Sequence, residues 1–200
     1  MDASAFWKVI GQYNQSTRYI QAVLLAVLVL AVFAGFRYGK ANIIKYALGI
    51  LNLFIAFGFF FAFGTQAIQR YFAFPLFLSA GTLFIYEAIR YGDDIPEKPR
   101  AVHYVFFALY LLYPLVSLAL GNSFPEMVTH IMPCPVATVS LALYSLCRKK
   151  NRALLILLTI WGLTGIKSVI FAAYEDIILL AAGIFGVVLV ARAFRKKTEN

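Results

Sequence analysis

The stretch GNSFPEMVTHIMPCPVATVS, residues 121–140, organises the rest of the chain. It holds three prolines and lies between two strongly apolar segments. A proline lacks a backbone N–H, and its ring clashes with the carbonyl four residues earlier, so a helix breaks or restarts at Pro133 and Pro135. Prolines are also permitted in the first turn of a helix. The sequence therefore leaves two interpretations open, a broken helix or a helix that begins at these prolines.

The part of this stretch before the prolines carries a helix-start signal. Ser123 and Glu126 have the spacing of a capping box, in which the first side chain caps the helix and the second reaches back to it. The signal predicts a short helix over residues 124–131.

Outward from this stretch, the chain consists of apolar runs joined by short polar loops. It is 62% hydrophobic, with a mean hydropathy of +0.80, whereas soluble domains contain roughly 45–50% apolar residues. A transmembrane helix needs about 20 apolar residues. We therefore predict an all-α, polytopic membrane bundle of seven transmembrane helices. The predicted spans are residues 19–36, 44–63, 72–89, 102–120, 133–147, 153–172 and 177–191.

The distribution of basic residues predicts the orientation. Of the 18 lysines and arginines, 14 fall in the loops on one side of the predicted bundle. Lys and Arg are enriched in cytoplasmic loops, which places the N-terminus outside and the C-terminus in the cytoplasm of a bacterial inner membrane. The net charge of +9 is then explained by topology and lipid headgroups, and we expect the lipid bilayer, not nucleic acid, as the partner.

The predicted organisation is a single membrane domain with two short flanks. Residues 1–17 are polar with interleaved aromatic residues and are predicted to form an interfacial helix or a lid on the bundle. Residues 18–192 form the seven-span domain, and residues 193–200 form a basic cytoplasmic tail.

Three side chains around the prolines have the chemistry of soft-metal ligands. His130, Met132 and Cys134 alternate along the chain, and imidazole, thioether and thiolate together suit an ion such as Cu(I). The pattern is short, and it is equally consistent with an interfacial His, a packing Met and a buried Cys. Cys134 is also a candidate reactive thiol, because a cysteine at a helix N-terminus can have a lowered pKa.

Charged residues within or beside the spans are the other candidates. Lys167 lies inside the sixth predicted span, where a cation is costly and often functional. It either snorkels to the headgroups or faces the bundle, where Glu126, Glu175 or Asp176 could pair with it. Glu87 has Arg90 three residues on, which predicts an interfacial ion pair.

The ordered motifs of this chain resemble a known family. They are FWKVIGQYNQ at residues 6–15, Gln21, Tyr113-Pro114, Gly121, Pro125 and Pro-Cys-Pro at residues 133–135. Together they resemble the uncharacterised multi-pass bacterial family catalogued as domain of unknown function 6064. The resemblance covers nearly the whole chain and implies a membrane bundle, but it brings no established activity.

The expected function is a small permease or channel-like protein. Its site would lie near the outer leaflet at the proline break, formed by Pro133, Cys134, Pro135, Lys167 and Glu126. One alternative is a non-transporting membrane module that binds a protein partner, a lipid or a second copy of itself. A further alternative is a thiol- or soft-metal-handling protein centred on Cys134. No hydrolase, protease or phosphate-loop motif is present, so no enzyme activity or cofactor is predicted.

Overall fold

The computed structural model describes residues 3–169 and 173–195. Within these ranges the chain is all-helical, with seven α-helices and no strand. The helices are α1 (Ala3–Arg37), α2 (Ala41–Phe54), α3 (Phe74–Arg90), α4 (Ala101–Ala119), α5 (Pro133–Ser145), α6 (Arg152–Leu163) and α7 (Ile177–Arg195). A π-helix, Ile55–Phe61, continues α2, and another, Gln69–Ala73, leads into α3. Two 3₁₀ segments, Thr164–Val169 and Tyr174–Asp176, lie between α6 and α7.

The seven predicted helices are all present, but the structure supports membrane-spanning length for five of them. These are Phe6–Arg37, Ala41–Phe61, Gln69–Arg90, Ala101–Ala119 and Tyr174–Arg195. The other two, α5 and α6, have 13 and 12 residues. At about 1.5 Å per residue each is roughly 20 Å long, short of a hydrocarbon core of about 30 Å. The predicted sixth span ends at residue 172, and its last three residues lie outside the described ranges.

Helix α5 is the centre of the bundle. All of its residues except Cys134 are buried, as expected for a helix that is apolar on every side. Pro133 and Pro135 occupy its first turn, after Met132 as N-cap. The prolines therefore begin the helix instead of interrupting one, because the N–H groups they lack have no intrahelical partner there.

The predicted short helix over residues 124–131 is wrong. Residues 122–132 form an irregular segment, with a cis peptide bond between Phe124 and Pro125. We call this segment the cap loop. Its backbone polar groups are paired with side chains of other elements and not with one another, as they would be in a helix. For example, Ser117 of α4 accepts a hydrogen bond from the Val128 backbone N–H at 3.0 Å.

The N-terminal segment predicted at the interface is part of α1, which runs unbroken through residue 37. Its face packs on the cap loop: the Tyr13 hydroxyl donates to the Ile131 carbonyl at 2.5 Å, and the Asn14 amide donates to the Pro125 and Met127 carbonyls at 2.7 and 2.8 Å. The start of α1 therefore packs against the cap loop as part of a long helix.

Small residues bring helices α6 and α7 into close contact. A Cβ on Gly162 would lie 2.5 Å from the Gly183 Cα, and a Cβ on Gly183 would lie 2.4 Å from the Gly162 carbonyl carbon. No real Cβ tolerates such distances, so both positions need glycine. Small residues at such contacts let two helix backbones approach closely, which is the usual reason for glycine within an apolar helix.

Polar residues gather at the two ends of the bundle. At one end, buried Lys45, Glu87 and Asp94 come together, and we call it the ion-pair end. At the other end the cap loop, the start of α1 and the Thr164–Val169 segment surround a cavity, and we call it the cavity end. Helix α5 connects the two ends: it begins with Pro133 at the cavity end, and Tyr144 near its last residue donates to Glu87 at the ion-pair end.

Candidate functional site

The cavity end contains a pocket of about 210 Å³ beside the start of α5. Its wall is mainly apolar and includes five aromatic rings from α1, both π-helices and α6: Phe6, Phe59, Phe60, Phe72 and Trp161. Several of these rings stack edge to face, for example Phe60 and Trp161 with centroids 5.5 Å apart. The pocket is therefore a preformed, largely apolar space, the usual setting of a small-molecule site.

We call the whole pocket the Cys134 cavity. Polar side chains also contribute to its lining. They include Cys134 from α5, Lys167 from the Thr164–Val169 segment and Asp176 just before α7. Three separate segments thus bring a thiol, an ammonium group and a carboxylate to one space.

The five residues that the sequence singled out fall into two groups. Pro133, Cys134 and Lys167 line the Cys134 cavity. Pro135 is buried in the first turn of α5, and Glu126 is an exposed residue of the cap loop that touches α1 beside Gly11. The structure therefore brings three of the five together, and Glu126 and Pro135 lie outside the cavity lining.

The Cys134 thiol has a specific partner. It donates a hydrogen bond to Asp176 Oδ2 at 3.2 Å. Sequence reasoning named Asp176 only as a partner for Lys167, and no spacing rule could relate two residues 42 positions apart. Lys167 is exposed, and within the described ranges no carboxylate lies in ion-pair distance of it.

The three candidate soft-metal ligands point to different partners. The His130 ring lies 3.3 Å from the Leu111 carbonyl on α4, and the Met132 sulfur accepts the Thr129 N–H at 3.2 Å. Cys134 is engaged with Asp176, as described above. Among the described residues, no group of three His, Cys, Asp or Glu side chains has a metal-binding arrangement. Burial lowers the pKa of His130, so this imidazole is neutral at neutral pH.

A polar network anchors the cap loop to α1. Thr129 of the loop donates to Gln21 Oε1 at 2.7 Å, and Gln21 in turn donates to Asn14 at 3.1 Å. Asn14 also holds two cap-loop carbonyls. Since Asn14 and Gln21 are seven residues apart, they lie on one face of α1, and this network keeps the cavity end in a single arrangement.

Behind the cavity lies a second polar group, buried between α4 and the start of α7. The Ser117 hydroxyl on α4 donates to Glu175 Oε1 at 2.7 Å, and Ser117 also accepts the Val128 N–H. The hydroxyl of Tyr113, one helical turn before Ser117, is fully buried and makes no hydrogen bond of good geometry in the part of the chain that the structure describes.

The ion-pair end holds a compact charge cluster that the sequence did not predict. Lys45 Nζ lies 2.8 Å from Glu87 Oε2 and 2.8 Å from Asp94 Oδ2, and all three side chains are fully buried. The Lys45 ammonium also donates to the Lys149 carbonyl at 2.8 Å. The expected interfacial pair of Glu87 with Arg90 is wrong, because Glu87 faces α2 inside the bundle.

The remaining oxygens of this cluster are also satisfied. Tyr144 on α5 donates to Glu87 Oε1, the Asn151 N–H donates to the same oxygen at 2.8 Å, and the Lys149 N–H donates to Asp94 Oδ1 at 3.1 Å. A buried ion pair that has such additional donors avoids most of its desolvation penalty. The cluster thus ties α2, α3, α5 and two loops together and closes this end.

A signal for this cluster was present in the sequence. Lys45 lies inside the second predicted span and Glu87 inside the third, and opposite charges within neighbouring apolar spans are expected to pair. Lys45 was counted above among the 14 basic residues of the loops, so its position inside the second predicted span was overlooked. A separate ion pair lies nearby on the surface. Lys149 is 2.8 Å from Asp93 and holds the pKa of that carboxyl below its usual range.

A polar contact in mid-bundle agrees with the sequence. Asn52 is fully buried on α2, and its amide donates to Ser140 on α5 at 3.1 Å and to the Leu48 carbonyl at 2.8 Å. A buried amide within an apolar helix is usually paired in this way with a polar side chain of a neighbouring helix.

Comparison with known proteins identifies the chain only at the level of a family. A family model described as "Family of unknown function (DUF6064)" matches residues 3–200, which confirms the resemblance found in the motifs. Searches of curated proteins and of solved structures returned no match.

Proposed function

The chain belongs to the family of unknown function DUF6064, and we propose that it is a small multi-pass permease that binds its solute in the Cys134 cavity. The observation that carries this proposal is the convergence of Cys134, Lys167 and Asp176 on one pocket with an aromatic wall. A membrane protein with no solute would have little reason to keep such a space open, because well-packed interiors leave few voids larger than a water molecule.

The membrane placement is supported by five apolar helices of spanning length. We propose that α5 and α6, together with the segments that continue them, complete seven crossings of a bacterial inner membrane. The loops at the ion-pair end carry most of the basic residues, so this end faces the cytoplasm and the N-terminus lies outside. The Cys134 cavity then opens toward the outer surface.

The size and lining of the cavity indicate the class of solute. Pockets for drug-sized ligands are about 300–1,000 Å³, and this cavity of about 210 Å³ is smaller. Its aromatic wall favours an apolar body, while Lys167, Cys134 and Asp176 provide a polar region for one substituent. The solute is a small amphiphile with a compact apolar part.

The ion-pair end supports an outward-open, inward-closed arrangement. Lys45, Glu87 and Asp94 are fully buried and paired with one another, which supports a closed arrangement at that end. Release to the cytoplasm would require this cluster to separate, as alternating access demands of one gate while the other is open.

The alternatives receive less support from the contacts. A soft-metal site would need His130, Met132 and Cys134 to converge, and each is engaged elsewhere. A non-transporting module accounts for the exposed apolar helix faces, but so does contact with lipid, and it leaves the cavity without a role.

The proposal is tested with purified protein and a panel of small amphiphiles: apolar amino acids, alkylamines, short-chain carboxylates and aromatic alcohols. Ligands are scored by the rise in melting temperature, and any hit is then measured for uptake into proteoliposomes. Thr164 lines the cavity, so Thr164→Trp fills it. Thr82 is an exposed threonine of α3, and Thr82→Trp is the matched control.

We expect a hit to stabilise and enter vesicles containing wild type or Thr82→Trp, and to do neither with Thr164→Trp. A panel without a hit, or uptake that Thr164→Trp leaves unchanged, contradicts the assignment of the cavity. Binding without uptake favours the non-transporting module.

A further inference from the structure

Glu175 is a buried carboxylate with too few partners for a charged group. It lies in the Tyr174–Asp176 segment and is 1% exposed. Ser117 donates to its Oε1 at 2.7 Å, but its Oε2 is closed off from solvent and receives no hydrogen bond from the described residues. Burial of an ionised carboxylate without full hydrogen bonding or a counter-charge carries a large desolvation penalty.

Its neighbour in the chain repeats the pattern. Asp176 accepts the Cys134 thiol on Oδ2, while its Oδ1 is closed off from solvent and has no partner among the described residues. We call these two residues the acid pair. Two adjacent carboxylates in one low-dielectric site disfavour simultaneous ionisation, as in known carboxylate dyads.

The groups that face the acid pair include no compensating cation within the described ranges. Helix α4 contributes the hydroxyls of Ser117 and Tyr113, and α5 contributes the Cys134 thiol. Lys167 shares the cavity with Asp176, but it is exposed and not within ion-pair distance of either acid. Two negative charges here would therefore be uncompensated.

Tyr113 gives a second and independent indication. Its side chain is 0% exposed, and its hydroxyl makes no hydrogen bond of good geometry within the described chain. The hydroxyl lies near Thr138 and interacts electrostatically with Asp176, Cys134 and Glu175. A buried hydroxyl beside two carboxylate oxygens, all without a well-formed hydrogen bond, is a polar site that lacks one small ligand. Because these atoms are closed to water, the ligand that fits without rearrangement is a proton.

Burial alone does not force this conclusion, as the other end of the molecule demonstrates. Glu87 is also fully buried, but it receives Lys45, the Tyr144 hydroxyl and the Asn151 N–H. The same chain thus stabilises one buried carboxylate with a lysine and full hydrogen bonding, and provides neither for the acid pair.

We propose that the acid pair Glu175–Asp176 is a proton-binding site, which carries one proton in the conformation described. The step is proton transfer from hydronium to a carboxylate oxygen: one O–H bond of hydronium breaks, one carboxyl O–H bond forms, water is released, and the charge of the pair changes from −2 to −1. The proton reaches the site through the Cys134 cavity, which Asp176 lines. This inference goes beyond the proposed permease function and holds whether or not the cavity takes a solute.

The test is infrared difference spectroscopy of the solute-free protein in lipid nanodiscs at pH 7. We expect the carbonyl stretch of one protonated carboxyl per chain in wild type. The band should be lost in the double variant Glu175→Gln/Asp176→Asn, whose neutral amides resemble the protonated acids in shape. Glu87→Gln, which alters the paired carboxylate at the other end, should retain the band.

Absence of the band in wild type at pH 7 overturns the proposal without reference to any variant. Persistence of the band in a folded double variant also overturns it, because the proton would then be elsewhere. Since the measurement requires no solute, its result is independent of the uptake experiment above.

Discussion

The ammonium of Lys45 on α2 lies 2.8 Å from the carboxylate of Glu87 on α3, and both side chains are completely buried. No other buried ion pair besides the Lys45–Asp94 contact occurs in the described part of the chain. This relationship fixes the register of α2 against α3, because sliding either helix by one residue would leave a buried charge unpaired.

Removal of the cation from this cluster should be costly. Lys45→Met leaves Glu87 and Asp94 buried without a counter-charge, so we expect a loss of about 3–5 kcal/mol in the free energy of unfolding. The measurement is denaturant unfolding in mild detergent, followed by circular dichroism. Lys40→Met is the control, because Lys40 is exposed and should change stability by less than about 0.5 kcal/mol. Equal losses in the two variants would contradict the role of the cluster.

The contact between α6 and α7 should not accept a side chain. In Gly162→Ala the new Cβ would lie 2.5 Å from the Gly183 backbone, and separation of the two helices should cost about 1–3 kcal/mol. A Cβ at Gly92 meets nothing within 4 Å, so Gly92→Ala is the control. The thermal midpoints of both variants in the same detergent give the comparison, and a Gly162→Ala midpoint at or above that of Gly92→Ala would refute it.

The two cysteines should differ in reactivity. Cys134 borders the cavity and is half-buried, whereas Cys147 is fully buried. A small methanethiosulfonate reagent should therefore modify Cys134 first. Mass spectrometry of timed samples locates the adduct, and faster modification of Cys147 would contradict the placement of the cavity.

Acid should weaken the cavity end through His130. Burial lowers the pKa of His130 in the folded protein, while the unfolded value is about 6.5. The unfolded state then binds more protons below that pH, so this residue's contribution to stability is complete above about pH 6.5 and is lost as pH falls through the folded pKa. We expect His130→Gln to lose less stability than wild type between pH 7 and 5. Parallel curves for the two proteins would refute this.

The helices and their packing residues could be predicted well from the sequence. Apolar runs of spanning length gave all seven helices, because burying backbone in a low-dielectric setting leaves helix as the main solution. Small and amide side chains within apolar runs, such as Gly162, Gly183 and Asn52, have few uses other than inter-helix contact, so their role follows from local chemistry. Proline chemistry marked Pro133 as a helix boundary, but it left open whether a helix breaks there or begins there.

The candidate site required the tertiary structure. The pairing of Cys134 with Asp176 joins positions 42 residues apart, and the pairing of Lys45 with Glu87 joins two helices. Local rules misjudged both the cap loop and Glu87, because Ser117 and Lys45 offered better partners than the chain neighbours did. Spacing reports which side chains share a helix face, and only the packing of the helices decides what each face meets.

The sequence by itself determined that this chain forms apolar helices, that Pro133 and Pro135 either break a helix or begin one, and which residues permit close helix contact. These properties follow from local backbone chemistry and hydrophobic periodicity. Only the tertiary structure decided that α5 lies at the centre, that one end is sealed by Lys45 with Glu87 and Asp94, and that the other end holds a cavity beside an uncompensated acid pair. The reason is that burial and charge compensation depend on neighbours that are distant along the chain.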